Sequence, residues 1–329
     1  MPDLFSVIPS EPLEVLGQKL EKRFANGRFP YSGQWELTCR CNLRCAMCYT
    51  DCFNTPEKIQ NELSTSEILR ILKELAAAGV MDLVLTGGEP LSRPDFMTIY
   101  EAAHAQGFLL TVFTNGTLIT EDIADRWVAR PPKMVEISLH GTSAEVFERV
   151  TRMPGSLNSC LRGINLLVKR KIPLTLKTVG MTLNREEILS VKRFAAGLGP
   201  NVFFHFGEEM RDDLLLSGAP FEYQLSGEEL DVLERQDAGM WSERQKAARE
   251  AEAQTRTCGG GRQTFHIDAY GRLQLCSNNR RASYDLRQGS FHHGFFEALP
   301  SFPCPNRPSR INDDPSPGLS LQGRGISKI

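Results

Sequence analysis

Three cysteines are the residues of this chain whose spacing most directly indicates chemistry. Cys41, Cys45 and Cys48 are separated by three and then two residues, so their thiolates can surround one compact metal cluster. A [4Fe–4S] cluster normally takes four cysteines, and a site with three leaves one iron open. An open iron can bind a substrate or a cofactor. We therefore expect a reactive cluster rather than a simple electron carrier.

Three other interpretations of these cysteines are open. Zinc normally uses pairs of cysteines, and three clustered thiolates do not match that spacing. A disulfide cage is typical of short secreted domains, whereas this chain has 329 residues. Cys52 could be a fourth ligand of an ordinary electron-transfer cluster, and Cys39 could be a spare. We favour the open iron because of a second motif downstream.

The second motif is Gly87-Gly88-Glu89-Pro90, which follows the strand-like residues 81–86. Two glycines let the backbone approach a ligand closely and adopt positive φ. The carboxylate of Glu89 could bind the ammonium group of an amino-acid-like cofactor. Alone, the motif could be a plain β-turn. Together with the three cysteines, it favours a ligand-binding loop.

The two motifs resemble those of the radical S-adenosylmethionine (radical SAM) superfamily, and the resemblance covers residues 34–207. It implies that Cys41, Cys45 and Cys48 hold a [4Fe–4S] cluster whose open iron binds the amino and carboxylate groups of SAM. Glu89 would contact that amino group, and Met47 would pack near the adenine. The implied reaction is reductive cleavage of SAM to methionine and a 5′-deoxyadenosyl radical, which abstracts hydrogen from a substrate.

Helical and strand-like segments alternate along the chain, which predicts an α/β fold. Predicted strands cover residues 34–39, 81–86, 108–113, 133–140, 173–181 and 201–206, and predicted helices cover residues 11–25, 64–78, 94–106, 120–129, 156–171 and 184–198. Six βα units with right-handed crossovers give a six-stranded (β/α)6 partial TIM barrel. Chemistry is then expected at the carboxyl ends of the strands.

Several polar residues fall at those strand ends: Asn115, Ser138, His140, Lys177, Thr178, His205 and Glu208. The family resemblance implies that Ser138 hydrogen-bonds the ribose or carboxylate of SAM, and that Asn115 is a similar candidate. We interpret His140 as a structural histidine. His205 and Glu208 are candidates for contact with substrate, or else they are exposed or ion-paired. Residues 151–155 are interpreted as a turn between helices.

The region after the barrel contains a second group of cysteines. Residues 211–256 are interpreted as a helical connector, with Ser226 and Glu229 spaced as a capping box and a helix over 241–254. Alternating residues around Tyr270-Gly271 then predict a β-hairpin that brings Cys258 and Cys276 together.

Residues 257–305 resemble the first half of the SPASM or twitch auxiliary-cluster domains. The resemblance implies one extra Fe–S cluster held by Cys258, Cys276 and Cys304. Its fourth ligand would be Cys52, Cys160, a histidine or the substrate, and the alternative is a cluster-free hairpin with buried thiols. Residues 306–329 are rich in Pro, Ser and Gly and predict a disordered tail.

Composition is typical of an intracellular enzyme. The net charge of −2 gives no reason to expect nucleic acid or an anionic membrane as partner, and no apolar run reaches transmembrane length. Residues 1–31 lack a secretory signal and are interpreted as a helical segment before a barrel at 32–210. The nine cysteines are therefore expected to be reduced thiols or metal ligands in the cytoplasm.

The predicted function is that of a radical SAM enzyme that modifies a peptide or protein. Auxiliary hairpins of this kind are frequent in relatives that modify ribosomally made peptides. The expected partners are a precursor peptide and a reductant such as flavodoxin or ferredoxin. The alternatives are a radical SAM small-molecule oxidoreductase and a non-catalytic Fe–S electron carrier or sensor. An electron carrier would not need the Gly87–Pro90 loop.

Overall fold

A computed structural model describes residues 27–50, 54–207, 210–211, 217–252 and 258–304. The predicted helix at 11–25, the predicted tail at 306–329, and the candidates Cys52 and Glu208 lie outside the described residues. Within the described ranges, no helix is long and apolar enough to cross a membrane.

Six parallel strands pair in the order of the sequence and form the barrel part of the molecule. Their bounds are β1 Ser32–Glu36, β2 Asp82–Thr86, β3 Leu109–Thr114, β4 Met134–Ser138, β5 Leu174–Val179 and β6 Val202–Gly207. This arrangement confirms the predicted α/β partial barrel.

The helices of the barrel lie between these strands. They span Thr65–Ala77, Phe96–Ala105, Glu121–Ala129, Ala144–Thr151, Ser156–Lys169 and Ile188–Gly197, and shorter or later helices span Pro56–Gln60, Pro90–Ser92, Ala219–Tyr223, Gly227–Glu234, Ala238–Glu252, Phe291–His293, Gly294–Ala298 and Leu299–Ser301. Capping boxes are formed by Ser64 with Glu67 and, as predicted, by Ser226 with Glu229. Each reciprocal pair satisfies backbone N–H groups that a helix start leaves free.

Two helical segments differ from the sequence prediction. The helix predicted from residue 184 begins only at Ile188, because the Asn184 side chain binds the preceding backbone. Its amide donates to the Val179 carbonyl at 3.0 Å and accepts from the Met181 N–H at 2.9 Å. The helix Ala144–Thr151 was not predicted from the sequence.

The segment after the connector continues the same sheet. Strand β7 (Thr264–Ile267) pairs parallel with β1, and β8 (Arg272–Gln274) and β9 (Tyr284–Asp285) follow in antiparallel pairing. The predicted hairpin is confirmed, but its pairing with β1 was not predicted. Within the described part of the chain the sheet has nine strands. Phe265 and Phe291 from this region join the main apolar core.

The strands separate an apolar face from a polar one. In β4, Val135 and Ile137 are fully buried in the core under the helices, whereas Glu136 and Ser138 are half-buried on the opposite face. Because side chains alternate along a strand, the opposite face is the interior of the partial barrel. This interior face and the carboxyl ends of the strands carry most of the candidate site.

Candidate cluster and cofactor site

The three cysteines of the first motif lie in the loop that follows β1. Cys41 is buried, Cys45 and Cys48 are half-buried, and the three side chains pack together with Leu43. Burial raises the pKa of the Cys45 thiol, and the neighbouring Cys48 and Cys41 raise it further. Three thiolates this close together need positive charge between them, which iron ions supply. The donor set therefore fits a cluster.

Among the described residues, no three His, Cys, Asp or Glu side chains are arranged to hold a single metal ion.

Asn54 fixes the start of the cluster loop. Its side chain accepts a hydrogen bond from the Cys41 N–H at 2.9 Å and donates to the Cys41 carbonyl at 2.7 Å. Asn54 itself has a φ of 52°, a left-handed conformation that asparagine tolerates better than most residues. Nothing in the cysteine motif indicated this partner.

The end of the helix Ala144–Thr151 supports the middle of the loop. The Arg44 N–H donates to the Thr151 carbonyl at 3.0 Å, and the Ala46 N–H donates to the Val150 carbonyl at 2.9 Å. These carbonyls belong to the last helical turn, where they lack partners within the helix. Residues 151–155, interpreted above as a turn between helices, therefore begin at Thr151, which contacts the cluster loop.

The two motif loops touch through their backbones. The Gly88 N–H donates to the Thr38 carbonyl at 2.9 Å, and the Glu89 N–H donates to the Arg40 carbonyl at 2.6 Å. A Cβ atom on Gly87 would lie 2.4 Å from the Thr38 oxygen, and one on Gly88 would lie 2.4 Å from the Arg40 oxygen. Gly87 also has a φ of 149°. Glycine is required here because the two loops approach so closely.

The carboxylate of Glu89 is buried and accepts three hydrogen bonds. The donors are the Leu91 N–H at 3.0 Å, the Thr114 hydroxyl at 2.8 Å and the Asn115 N–H at 2.7 Å. Burial raises the pKa of Glu89 to about 7, although these hydrogen bonds act in the opposite direction. Glu89 thus holds the end of β3, and its predicted contact with the SAM amino group stays a prediction.

Asn115 connects β3 to the cluster loop. Its side-chain amide donates to the side-chain oxygen (Oδ1) of Asn42 at 2.9 Å and accepts from the Thr117 N–H at 2.9 Å. Asn42 in turn donates to the Thr117 hydroxyl at 2.8 Å. The predicted contact of Asn115 with the cofactor would therefore be made beside these bonds or by replacing one of them.

Met47 lies in a small apolar cluster at the barrel mouth. It packs against Val150, Met181 and Met210. Three unbranched methionine side chains make an adaptable apolar surface, which suits the predicted position of an adenine ring.

Ser138, Lys177 and His205 lie side by side on three neighbouring strands. The Lys177 Nζ lies 3.9 Å from a Glu136 carboxylate oxygen and 4.9 Å from the centre of the Phe113 ring. The structure therefore places Ser138 and the substrate candidate His205 on the interior face of the barrel, with charged neighbours.

His140 lies in a different environment. It is buried, and its Nδ1 lies 3.5 Å from the Thr178 hydroxyl. Burial lowers its pKa to about 4, and nearby Lys177 acts in the same direction. A neutral buried imidazole beside a hydroxyl agrees with the structural interpretation of His140.

A buried carboxylate beneath the cluster loop was missed in the sequence analysis. Glu62 accepts hydrogen bonds from the Thr38 hydroxyl at 2.7 Å, the Cys39 N–H at 2.8 Å and the Cys39 thiol at 3.0 Å. Buried Arg93 lies 3.8 Å from Glu62 and donates to the Leu37 carbonyl at 2.9 Å. Cys39 is thus bound to Glu62, outside the trio of candidate ligands.

Cys258 and Cys276 both lie near Gly260, at one end of the hairpin. The Gly260 N–H donates to the Cys258 sulfur at 3.5 Å. A Cβ atom on Gly260 would lie 3.4 Å from that sulfur and 3.8 Å from the Cys276 Cβ. Both cysteines, which were expected to lie near each other, therefore lie beside the same glycine.

Asn279 joins the backbone next to Cys304 to the same end of the hairpin. The Asn279 N–H donates to the Cys276 carbonyl at 3.3 Å, and its side chain donates to the Pro303 carbonyl at 2.9 Å. By contrast, Cys160 is fully buried against Gly116 after β3, and β2 and β1 lie between β3 and the hairpin. Cys160 is therefore excluded as the fourth ligand of an auxiliary cluster.

Comparisons with known proteins agree with the site. Residues 35–195 match the radical SAM superfamily. The chain is 35% identical over 173 residues to an AdoMet-dependent heme synthase of Methanosarcina barkeri, covering 52% of this chain and 49% of that protein. It is 36% identical over 133 residues to the mycofactocin maturase MftC of Mycobacterium tuberculosis, covering 40% and 33% respectively. The chain thus spans about half the length of these relatives, or less.

The fold is similar to that of SuiB of Streptococcus suis, solved with its precursor peptide SuiA. The TM-score is 0.67 at 14% identity, and the match covers 89% of this chain and 72% of SuiB. At this identity the likeness concerns the fold alone. The superfamily match over residues 35–195, on a sheet whose carboxyl edge carries both motif loops, identifies these residues as a domain of the radical SAM superfamily.

Proposed function

We propose that this protein is a radical SAM enzyme that abstracts hydrogen from a peptide substrate. The contact between the two motif loops carries this proposal, because the Gly88 and Glu89 N–H groups bind the backbone that leads into the cysteines. Cluster ligands and cofactor-binding groups are thereby fixed relative to each other. When bound, the [4Fe–4S] cluster and SAM supply a 5′-deoxyadenosyl radical by reductive cleavage.

The chain's own residues would bind and orient these groups. Cys41, Cys45 and Cys48 would hold the cluster. The Glu89 carboxylate would accept from the ammonium group of SAM, in addition to the hydrogen bonds it receives from the protein. Ser138 would bind the ribose or carboxylate of SAM, and Met47 would cover the adenine. Gly87 and Gly88 would keep the loop backbone close to the cofactor.

A peptide substrate is supported by similarity to the maturase MftC and by the fold shared with SuiB. The similarity to the heme synthase supports a second candidate, a tetrapyrrole. In that case the substrate would be a small molecule instead of a peptide. Both reactions would use the same radical chemistry. An electron carrier or sensor would have no use for bound SAM, so cofactor cleavage also separates an enzyme from that class.

The test begins with protein purified without oxygen and reduced with dithionite. Wild type should form 5′-deoxyadenosine from SAM, and Cys41→Ala/Cys45→Ala/Cys48→Ala should form none. Cys39→Ser is the matched control, because serine can still donate to Glu62. Undiminished cleavage in the triple variant would overturn the assignment. Peptides encoded beside the gene and an iron porphyrin would then be compared as substrates by mass spectrometry.

We further propose that Cys258, Cys276 and Cys304 hold a second cluster. Their approach through Gly260 and Asn279 supports this. The second cluster would bind substrate or accept its electron, and flavodoxin or ferredoxin would reduce the first. Reconstituted wild type should bind about eight irons, as two cubanes do, and the triple Ala variant of these cysteines about half. Equal iron content would refute the second cluster.

A further inference from the structure

The aromatic ring of Tyr49 contacts two arginines at the mouth of the barrel. Tyr49 directly follows Cys48, the third cysteine of the cluster loop. The guanidinium carbon of Arg211 lies 5.1 Å from the centre of the Tyr49 ring, and that of Arg280 lies 5.7 Å from it. Both distances are within the range of cation–π attraction. The end of the cluster loop is therefore attached to two positively charged side chains.

The two arginines come from opposite edges of the sheet. The strand order begins with β6 and ends with β8 and β9. Arg211 follows β6, and Arg280 lies between β8 and β9. Tyr49 therefore lies where these two edges approach each other across the open side of the partial barrel.

Both arginines also bind one residue of the hairpin region, Ser277. The Arg211 Nη1 donates to the Ser277 hydroxyl at 2.8 Å, and the Arg280 Nε donates to the Ser277 carbonyl at 2.9 Å. Ser277 directly follows Cys276, a candidate ligand of the second cluster. A continuous series of contacts thus runs from Tyr49, next to one group of cysteines, to Cys276 in the other group.

Each arginine is held in place by the elements around the cluster loop. Arg280 donates to both carboxylate oxygens of Glu36, at 2.9 Å and 2.6 Å, and Glu36 is the last residue of β1. Met210, directly before Arg211, packs with Met47 in the apolar cluster at the barrel mouth. A guanidinium group can stack on a ring through its face while its N–H groups donate at its edge. Both arginines can therefore serve the ring and the hairpin together.

The Tyr49 ring also acts on the charges of the two arginines. Two guanidinium groups that bind the same residue repel each other, and only the charge of Arg280 is offset by the ion pair with Glu36 among the described residues. The negative face of an aromatic ring attracts a cation. Without the ring, Arg211 would lose this attraction, and its hydrogen bond to Ser277 would weaken.

We propose that Tyr49 is a positioning residue that couples the two cysteine sites of the molecule. Through its two arginines, the ring holds the Cys276 end of the hairpin in a fixed place relative to Cys48. The hairpin thereby closes over the substrate only when the cluster loop has folded around its iron. The proposal rests on the first cluster proposed above, but it requires no cleavage of SAM.

Hydrogen exchange of the full chain, reconstituted without oxygen and followed by mass spectrometry, tests this coupling. The informative amide is that of Asn279, which donates to the Cys276 carbonyl at 3.3 Å and closes the turn around Ser277. In Tyr49→Leu, which removes the ring, this amide should exchange about tenfold faster. Tyr49→Phe keeps the ring and should exchange like the wild type. Unchanged exchange in Tyr49→Leu, or equally fast exchange in Tyr49→Phe, would overturn the proposal.

Trp241→Leu is the matched control. The guanidinium carbon of Arg235 lies 4.0 Å from the centre of the Trp241 ring, so this variant removes a contact of the same kind from the helical connector. It should leave the exchange at Asn279 unchanged. An equal increase in Trp241→Leu would mean that the effect of Tyr49→Leu is not local, and would also overturn the proposal.

A double-mutant cycle separates coupling from simple packing. Replacing the three cysteines of the cluster loop by alanine removes the first cluster, and with Tyr49 present it should speed exchange at Asn279 about tenfold. In the Tyr49→Leu background, the cysteine changes should have little further effect. A ring with a purely structural role would give two independent, additive effects and so refute the coupling. Should the cysteine variant fail to fold, the comparison of Tyr49→Leu with Tyr49→Phe decides alone.

The exchange measurement needs neither SAM nor a substrate. A protein that forms no 5′-deoxyadenosine but shows coupled exchange would refute the proposed function and leave the role of Tyr49 intact. A protein that cleaves SAM but shows additive effects in the cycle would retain the proposed function and overturn the coupling.

Discussion

The carboxylate of Glu89 accepts a hydrogen bond of 2.7 Å from the backbone N–H of Asn115. This bond joins the loop after β2 to the end of β3. The Asn115 side chain continues the connection to Asn42 in the cluster loop. The residue proposed to bind SAM is therefore also a fixed point between three segments of the site.

Replacing Glu89 by glutamine should weaken SAM binding by about ten- to a hundredfold, because a charge-assisted hydrogen bond is worth roughly 1.5–3 kcal/mol. Glu89 is not a proposed iron ligand, so the iron content should not change. Anaerobic calorimetry and iron analysis would measure both effects. Glu187→Gln is the matched control, since Glu187 also accepts backbone N–H groups, at Thr142 and Ser143. Unchanged affinity in Glu89→Gln would make the loop a plain turn.

SAM binding should also depend on pH through Glu89. Burial raises the pKa of this carboxyl group to about 7, and only its ionised form attracts an ammonium group. Affinity should therefore rise as pH increases from about 6 to about 8, within one pH unit of that pKa. The Glu89→Gln variant should show no such rise. A pH profile that is the same in both proteins would exclude Glu89 as the titrating group.

The same raised pKa has an opposite effect on stability. The folded protein binds the Glu89 proton more tightly than the unfolded chain, whose carboxyl has its ordinary pKa of 4.5. The stabilisation by the Glu89 proton is complete below about pH 4.5 and is lost as the pH rises through about 7. This loss lowers the free energy of unfolding by roughly 3 kcal/mol. Free energies of unfolding between about pH 4 and about pH 8, set against those of Glu89→Gln, would measure this loss.

Gly88→Ala tests the close contact between the two motif loops. The added Cβ would lie 2.4 Å from the Arg40 oxygen, and such overpacking costs roughly 1–3 kcal/mol. We expect a lower melting temperature and less bound iron. The control is Gly197→Ala at a helix end, where no atom lies within 4 Å of the new Cβ, and which should be neutral or stabilising. Equal melting temperatures and equal iron contents in the two variants would contradict a close contact between the two motif loops.

Local patterns were sufficient to predict the six barrel strands, their parallel α/β arrangement and both motif loops. Spacing places Cys41, Cys45 and Cys48 together, and the strand before Gly87 places Glu89 at a strand end. These features depend on neighbouring residues in the chain, which is why their sequence pattern identifies them.

Contacts between distant segments could not be predicted in the same way. The partner of the Cys39 thiol, Glu62, is 23 residues away, and the partner of Glu36, Arg280, is 244 residues away. Alternation marks 264–268 as a strand but does not identify β1 as its neighbour. Likewise, Asn184 is of a residue type that favours a helix start, yet its side chain hydrogen-bonds the backbone that precedes it.

The ion pair between Glu36 and Arg280 should contribute strongly to stability. Both side chains are largely buried, with 7% and 15% exposed. Among the described residues, Arg280→Ala would leave the buried Glu36 carboxylate with only the longer contact to His266 Nε2 at 3.6 Å, which should cost about 3 kcal/mol. Glu36→Gln/Arg280→Met should recover much of that loss. Chemical denaturation would measure the unfolding free energies. Arg185→Ala breaks an exposed pair with Glu229 and should lower the unfolding free energy by at most about 1 kcal/mol. An equally small loss in Arg280→Ala would contradict the role of burial.

The parallel pairing of β1 with β7 has a consequence for biosynthesis. Ser32 faces Thr264 in this pairing, so β1 has an unpaired edge until the ribosome has made the segment that contains β7. A sheet closed by such distant segments forms slowly, and an open strand edge invites wrong partners. The strand that leads into the cysteines therefore gains its second neighbour only after all six barrel strands have been made. Stable folding of the strand before the cysteine loop is thereby coupled to synthesis of β7.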